Sequence, residues 1–280
     1  MTRKVQKETD IVFYIRRYNP EVNTKPYWQE FKVHIEPGMT VLDGLHLIKE
    51  TQDATLSLRY SCRMGVCGSC GMLLNGRPSL ACNTQILDIA AKKLTIAPLP
   101  NFDIIKDLVP DLAPMFEKHI AINPHIMRDD AEEMLNPSGE LCQNPDELTK
   151  YLQFTYCIKC GLCMAACPTL ATDSEYLGPT SLAQSYRYSK DTRDDGFNLR
   201  KEIVGSAHGA FRCHYAGECS NVCPKGVDPA RAIQLMKREL VWDYLKLRKR
   251  KPKAQVMGKP EGIKRRPEIP EAPPFTVQLQ

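Results

Sequence analysis

Cys157-Ile158-Lys159-Cys160-Gly161-Leu162-Cys163-Met164-Ala165-Ala166-Cys167-Pro168 sets four thiols at steps of three, three and four residues and closes on a proline. Thiolates at this spacing hold cuboidal iron–sulfur clusters: three serve one cluster, and the fourth reaches across to another. The crossing requires a second run, and a shift of 56 finds it at Cys213, Ala216, Cys219, Cys223 and Pro224. This is an internal repeat in which a methyl replaces one thiol. By the crossed rule, Cys157, Cys160, Cys163 and Cys223 hold a [4Fe–4S] cluster. Cys167, Cys213 and Cys219 are left with a fourth corner that faces Ala216. An iron without a thiolate is easily lost, so three cysteines favour [3Fe–4S] over a [4Fe–4S] with water or hydroxide on the fourth iron.

Upstream, Cys62-Arg63-Met64-Gly65-Val66-Cys67-Gly68-Ser69-Cys70, with Cys82 beyond it, has the C-x4-C-x2-C…C form of a [2Fe–2S] site. A tight loop presents three thiolates and the fourth comes from a neighbouring strand. Gly65, Gly68 and Gly71 are expected to allow positive φ and to let backbone N–H groups approach the anionic cluster. The alternative is tetrahedral zinc, which usually pairs two C-x2-C knuckles or adds His. A four-residue step inside a glycine loop argues for the cluster. Together the three sets use eleven of the twelve cysteines. The remaining one, Cys142, is assigned to packing with no further role.

Around these sites the first third reads as β-rich. Ile11–Ile15 and Phe31–Ile35 have strand character, and the turn residues Asn19–Pro26 join them as a hairpin. Thr40-Val41-Leu42-Asp43 is a capping box opening a helix with Val41, Leu42, Leu45 and Ile48 at helical spacing. Asn75-Gly76 between Met72–Leu74 and Ser79–Ala81 signals a tight hairpin, and Leu94–Ile96 a last strand. A small sheet over one helix is the economical arrangement. After Pro98-Leu99-Pro100 the apolar spacing becomes helical. Asp228-Pro229 opens the clearest helix, with Ile233, Met236, Leu240, Val241 and Tyr244 as its apolar face.

The composition, 42% hydrophobic and 25% charged over 280 residues, is that of a globular chain with room for two domains. No apolar run follows the charged Met1–Glu8, so no secretory signal is expected, and in a reducing compartment the thiols stay free for metal. The weakly polar stretch Leu162–Ala171 reaches about half of the ~18 residues a spanning helix needs. The net charge of +5 gathers in Lys246–Arg266. That run reads first as a solvated tail and second as a segment drawn to an anionic membrane surface. Nucleic-acid binding is not expected, since no aromatic platform accompanies the charge.

A plant-type [2Fe–2S] segment followed by two crossed runs, one cysteine replaced, resembles the iron–sulfur subunits of succinate:quinone oxidoreductases, the succinate dehydrogenases and fumarate reductases. The likeness spans about Ile11 to Leu247 and is most specific at Arg59–Cys70 and Cys219–Ala232. It implies an α+β fold. Residues 1–108 form a β-grasp [2Fe–2S] ferredoxin domain, 109–250 an α-helical ferredoxin domain with [4Fe–4S] and [3Fe–4S] clusters, and 251–280 a basic, proline-rich extended tail.

The resemblance also implies partners: a flavoprotein subunit whose FAD interconverts succinate and fumarate, and membrane anchor subunits with a quinone and, in some relatives, haem. Pro168, His214 and Lys237 match family positions near that quinone. No Trp follows Pro168, where many succinate dehydrogenases carry one, and this leans toward fumarate-reductase-like, menaquinone-linked relatives. The expected location is the cytoplasmic face of a prokaryotic membrane, as a peripheral subunit. Related subunits serving a thiol-coupled fumarate reductase or a glycolate-type oxidase are the alternative. Thiol-coupled relatives usually add adjacent cysteine pairs, and this chain has none. A structural zinc protein is the alternative of a different class.

Overall fold

The computed structural model describes residues 9–89, 92–248 and 252–258. Strand β1 (Thr9–Arg17) turns Ile11, Phe13, Ile15 and Arg17 to one buried face, and β2 (Tyr27–Ile35) does the same with Phe31, Val33 and Ile35. They pair antiparallel with Phe13 opposite Phe31, the arrangement that puts both apolar sets on one side. Helix α1 (Val41–Thr51) begins at the expected capping box: Asp43 N donates to Thr40 Oγ1, and Thr40 N to the Asp43 carboxylate. Its buried Val41, Leu42, Leu45 and Ile48 cover the sheet. Strands β3 (Gly71–Leu74) and β4 (Arg77–Leu80) flank Asn75-Gly76, both at positive φ as a tight hairpin turn requires. Strand β5 (Lys93–Ala97) lies parallel to β1 and antiparallel to β3, giving the order β2-β1-β5-β3-β4.

The chain then departs from the helical reading for a few residues. Ile104–Lys106 and Val109–Pro110 form a small irregular hairpin. Asp107 at its tip is buried and takes the Arg17 guanidinium at 3.0 Å. The helical region follows, with α2 (Ala113–Ala121), α3 (Gly178–Lys190), α4 (Phe197–Val204) and α5 (Pro229–Tyr244). Helix α3 is its axis, and α2, α4 and α5 all pack on it.

Helix α5 is N-capped by Asp228 as expected, and it buries Ile233 and Met236. Its expected apolar face does not continue: Leu240 is only partly buried, and Val241 and Tyr244 are exposed, past Glu239, whose carboxylate meets Lys190 at the end of α3. Among the described residues no helix is long and apolar enough to cross a membrane. Val256–Gly258, within the segment read as a tail, pairs antiparallel with Gly139–Leu141. Met1–Glu8 and most of the basic run Lys246–Arg266 lie outside the described residues.

The two regions share a core. Cys160, Leu162, Ala165 and Val222 from the helical part are buried in the same apolar cluster as the sheet and α1. Two side chains reinforce the seam. Asn101 Nδ2 lies 3.0–3.1 Å from the carbonyls of Met164, Ala165 and Cys167, and Arg77 donates to the Asn221 carbonyl at 2.9 Å.

Candidate metal centres

All twelve cysteines are free thiols. The first group sits on the loop from α1 to β3 and just after β4. Cys82 lies on a single 3-10 turn (Ala81–Asn83) beyond the strand rather than on the strand itself. Arg63, Gly65 and Gly68 at positive φ curl the loop so that its amides point inward. Cys67 N and Val66 N reach Cys62 Sγ at 3.2 and 3.3 Å, Gly65 N reaches Cys82 Sγ at 3.2 Å, and Cys82 N reaches Cys70 Sγ at 3.4 Å. Donors from both segments thus gather the four sulfurs at one place. Backbone hydrogen bonds within the loop lower the exposed Cys67 to about 6, while burial pushes Cys70 up to about 12.

Gly71 departs from expectation. It has ordinary strand conformation, and what it supplies is room: a Cβ there would sit 3.2 Å from the Cys160 carbonyl oxygen. At Gly68 both reasons act. Its φ is +77°, and a Cβ would lie 2.8 Å from Cys160 Cβ and 2.9 Å from Cys160 Cα. The first loop therefore rests directly on the second.

The second group surrounds a pocket lined by Cys157, Cys160, Cys163 and Cys223 and walled by Pro224, Val227 and Ala183. The third surrounds a second pocket, lined by Cys167, Cys213, Cys219 and Ala216. Each cavity mixes thiols from both halves of the repeat. The helices that carry them are single turns, Leu162–Ala165 and Glu218–Asn221, each preceded by a glycine in the left-handed region. Cys163 on the first turn and Cys167 two residues past its end line different cavities, and so do Cys219 on the second turn and Cys223 beyond it.

Burial pushes Cys160 up to about 11 and Cys219 to about 12, each reinforced by neighbouring thiols of its own cavity. Burial raises Cys163 further. Thiols held this way give up their protons only to a strongly cationic centre. Among the described residues no three His, Cys, Asp or Glu side chains are placed to hold a single metal ion. Sulfurs set around apolar spaces suit a polynuclear centre with its own bridging sulfides.

Two of the hydroxyl side chains lining these cavities lie beside ligand sulfurs. Thr180 Oγ1 is 3.1 Å from Cys163 Sγ, and the Tyr176 phenol, fully buried, lies against Cys213 with no protein oxygen or nitrogen as partner. Neither residue is singled out by sequence pattern. Of the three residues read as quinone-proximal, Pro168 is exposed at the first helical position after Cys167 and lines the third cavity. His214 is exposed beside Cys213. Lys237 reaches back from α5, its ammonium donating to the Cys213 carbonyl at 2.8 Å. Cys142 is exposed, contrary to the packing expected of it, and its backbone N–H donates to the Gln255 carbonyl.

A ferredoxin-like sheet domain with one group of thiols, joined to a helical repeat with two more, defines a multicentre iron–sulfur protein. Residues 12–117 match the family described as "2Fe-2S iron-sulfur cluster binding domain", and residues 153–227 match the "4Fe-4S dicluster domain". The fumarate reductase iron-sulfur subunit of Mycobacterium tuberculosis is 44% identical over 227 residues, covering 81% of this chain and 91% of that one. The corresponding subunit of Haemophilus influenzae is 42% identical over 239 residues, with 82% and 93% covered. The mitochondrial succinate dehydrogenase [ubiquinone] iron-sulfur subunit of Candida glabrata is 40% identical over 234 residues, with 82% and 91% covered. Among solved structures, a chain of the Mycobacterium smegmatis Sdh1 complex in the apo form superposes with a TM-score of 0.71 at 27% identity, covering 85% of this chain and 97% of that chain. The chain belongs to the family of iron–sulfur subunits of fumarate reductases and succinate dehydrogenases.

Proposed function

We propose that this chain conducts single electrons through three clusters between a FAD-containing subunit and a membrane quinone. The ligands are Cys62, Cys67, Cys70 and Cys82 for [2Fe–2S], Cys157, Cys160, Cys163 and Cys223 for [4Fe–4S], and Cys167, Cys213 and Cys219 for [3Fe–4S]. The observation that carries this reading is the sorting of the repeat's seven thiols into two apolar cavities, four in one and three beside Ala216 in the other. When bound, the clusters supply one-electron carriers of different potential.

The protein's part is to position them and keep water out. The Gly68–Cys160 contact brings the first centre against the second, and the turn Leu162–Ala165 joins the second to the third. Both ends carry exposed apolar side chains beside ligand cysteines, as surfaces that dock on partners do. Met64 and Val66 flank Cys67 at one end, and Phe211 and Tyr215 flank Cys213 at the other. The first end suits the flavoprotein and the second the membrane anchor, where Pro168, His214 and Lys237 gather near the quinone. The absence of Trp after Pro168 supports menaquinone, and the reading places the subunit peripherally, on the cytoplasmic face of a prokaryotic membrane.

The test is anaerobic purification of the native complex with metal, sulfide and quinone analysis. About nine irons and ten acid-labile sulfides per chain are expected, with bound menaquinone and an EPR signal from an oxidised [3Fe–4S]. Zinc without sulfide would sink the proposal.

A further inference from the structure

We propose that two buried hydroxyls at the start of α3 set the reduction potentials of two centres, Thr180 by donating to Cys163 and Tyr176 by donating to Cys213. This rests on the ligand assignment proposed above. Thr180 is 2% exposed, and its hydroxyl meets the Cys163 sulfur at 3.1 Å in a cavity otherwise walled mainly by apolar side chains. Tyr176 is 0% exposed, lines the other cavity, and has no partner for its hydroxyl among protein oxygens and nitrogens. A buried phenol left without a partner is costly, and the Cys213 sulfur lining the same cavity is the acceptor at hand. A cysteine sulfur bound to iron carries no proton and can only accept, which makes both hydroxyls the donors.

The two donors are held in place by their own segment. Leu177 N donates to the His208 carbonyl at 2.9 Å, and the Lys118 ammonium donates to the Tyr176 carbonyl at 2.8 Å. Gly178 turns the chain into the helix at a φ of +82°, pressed against Met164. Tyr176, two residues before α3, and Thr180, on its first turn, therefore present one donor to each cavity without freedom to swing away. One-electron reduction adds negative charge to a centre. A hydrogen bond to its sulfur stabilises the reduced form more than the oxidised form, and more so in a dry cavity. Each hydroxyl thus raises the potential of its own centre and leaves the others alone.

The experiment is a potentiometric titration of the whole membrane complex followed by low-temperature EPR, comparing the unaltered chain with Thr180→Val and Tyr176→Phe. Thr180→Val should lower the [4Fe–4S] potential by about 59 mV, a tenfold change in a one-electron equilibrium, with the [3Fe–4S] potential unmoved. Tyr176→Phe should do the reverse. If Thr180→Val loads poorly, Thr180→Ser against Thr180→Ala carries the same comparison, with Ser keeping the original potential. Fully loaded variants with unshifted potentials, or a shift at the wrong centre, would overturn the inference alone. Absence of the [3Fe–4S] signal from the unaltered complex would instead overturn the ligand assignment beneath it.

Discussion

Replacing Gly68 by Ala tests the seam between the first two centres. The new Cβ would stand 2.8 Å from Cys160 Cβ and 2.9 Å from Cys160 Cα, with the Ile158 carbonyl oxygen at 3.2 Å. Carbon atoms rest about 3.5–4.0 Å apart, so the two loops must separate by roughly 1 Å. Neither partner is the flexible end of a long side chain, and overpacking against such a wall costs about 1–3 kcal/mol. The φ of +77° adds about 1–2 kcal/mol for any L-residue. Gly76 provides the control. Its φ is +80°, yet nothing lies within 4 Å of its Cβ position, so Gly76→Ala bears the backbone strain alone. For a chain of this size each kcal/mol lowers the melting midpoint by about 2–4 °C. The midpoint of cluster bleaching, measured anaerobically on the complex, should fall about twice as far for Gly68→Ala as for Gly76→Ala. Spin–spin coupling between the reduced [2Fe–2S] and [4Fe–4S] centres should weaken only in Gly68→Ala. Equal losses in both variants, with the coupling unchanged, would refute the idea that the first centre is seated on the Cys160 backbone.

Three further outcomes are expected. Arg200 and Asp194 are both fully buried, and the guanidinium also serves the carbonyls of Ile122, Asn123 and His125; Asp194→Asn should therefore destabilise by about 3–5 kcal/mol, read as a lower melting midpoint. His119 is buried on α2, and burial, with Lys159 nearby, lowers it to about 4. Below the ordinary value near 6.5 the unfolded chain takes up this proton and the folded chain does not. Stability should thus fall by about 1.4 kcal/mol per pH unit from 6.5 down to about 4, and His119→Leu should flatten that slope in melting curves. Ala216→Cys offers a fourth thiol to the third cavity and should convert the centre to [4Fe–4S], with the oxidised [3Fe–4S] EPR signal lost and the potential lowered.

The cysteine sets, the capping box at Thr40 and the turn at Asn75-Gly76 were legible because each is a local pattern whose chemistry is complete within a few residues. The hairpin at 104–110 was not, since strands of two or three residues leave no periodicity and this one is held by the distant Arg17 through Asp107. The outer half of α5 has an apolar stripe indistinguishable by spacing from a buried one; whether it is covered depends on where α3 ends. Gly71 looked like its loop neighbours, and only the approach of Cys160 shows that it supplies space rather than φ. Asn101, Tyr176 and Thr180 are ordinary letters that gain meaning from partners far off in the chain.

The crossed repeat has a consequence for how the molecule acquires its structure. On the proposed ligation, each short helical turn carries one ligand, Cys163 or Cys219, and leads two residues past its end to a second, Cys167 or Cys223, that serves the other centre. Filling either cavity therefore fixes the orientation of both turns, which is what the other cavity needs in order to close. Cys160, Cys163 and Cys219, whose thiols burial pushes up, hold their protons until a cationic centre displaces them, so folding of this half and loading of its two clusters are one coupled event. The first loop differs. Its sulfurs are gathered by its own backbone amides and by a sheet with its own hairpins, and it meets the repeat at Gly68 and Gly71. A chain whose helical half fails should accordingly keep its [2Fe–2S] centre, whereas loss of Cys163 or Cys219 should empty both cavities together.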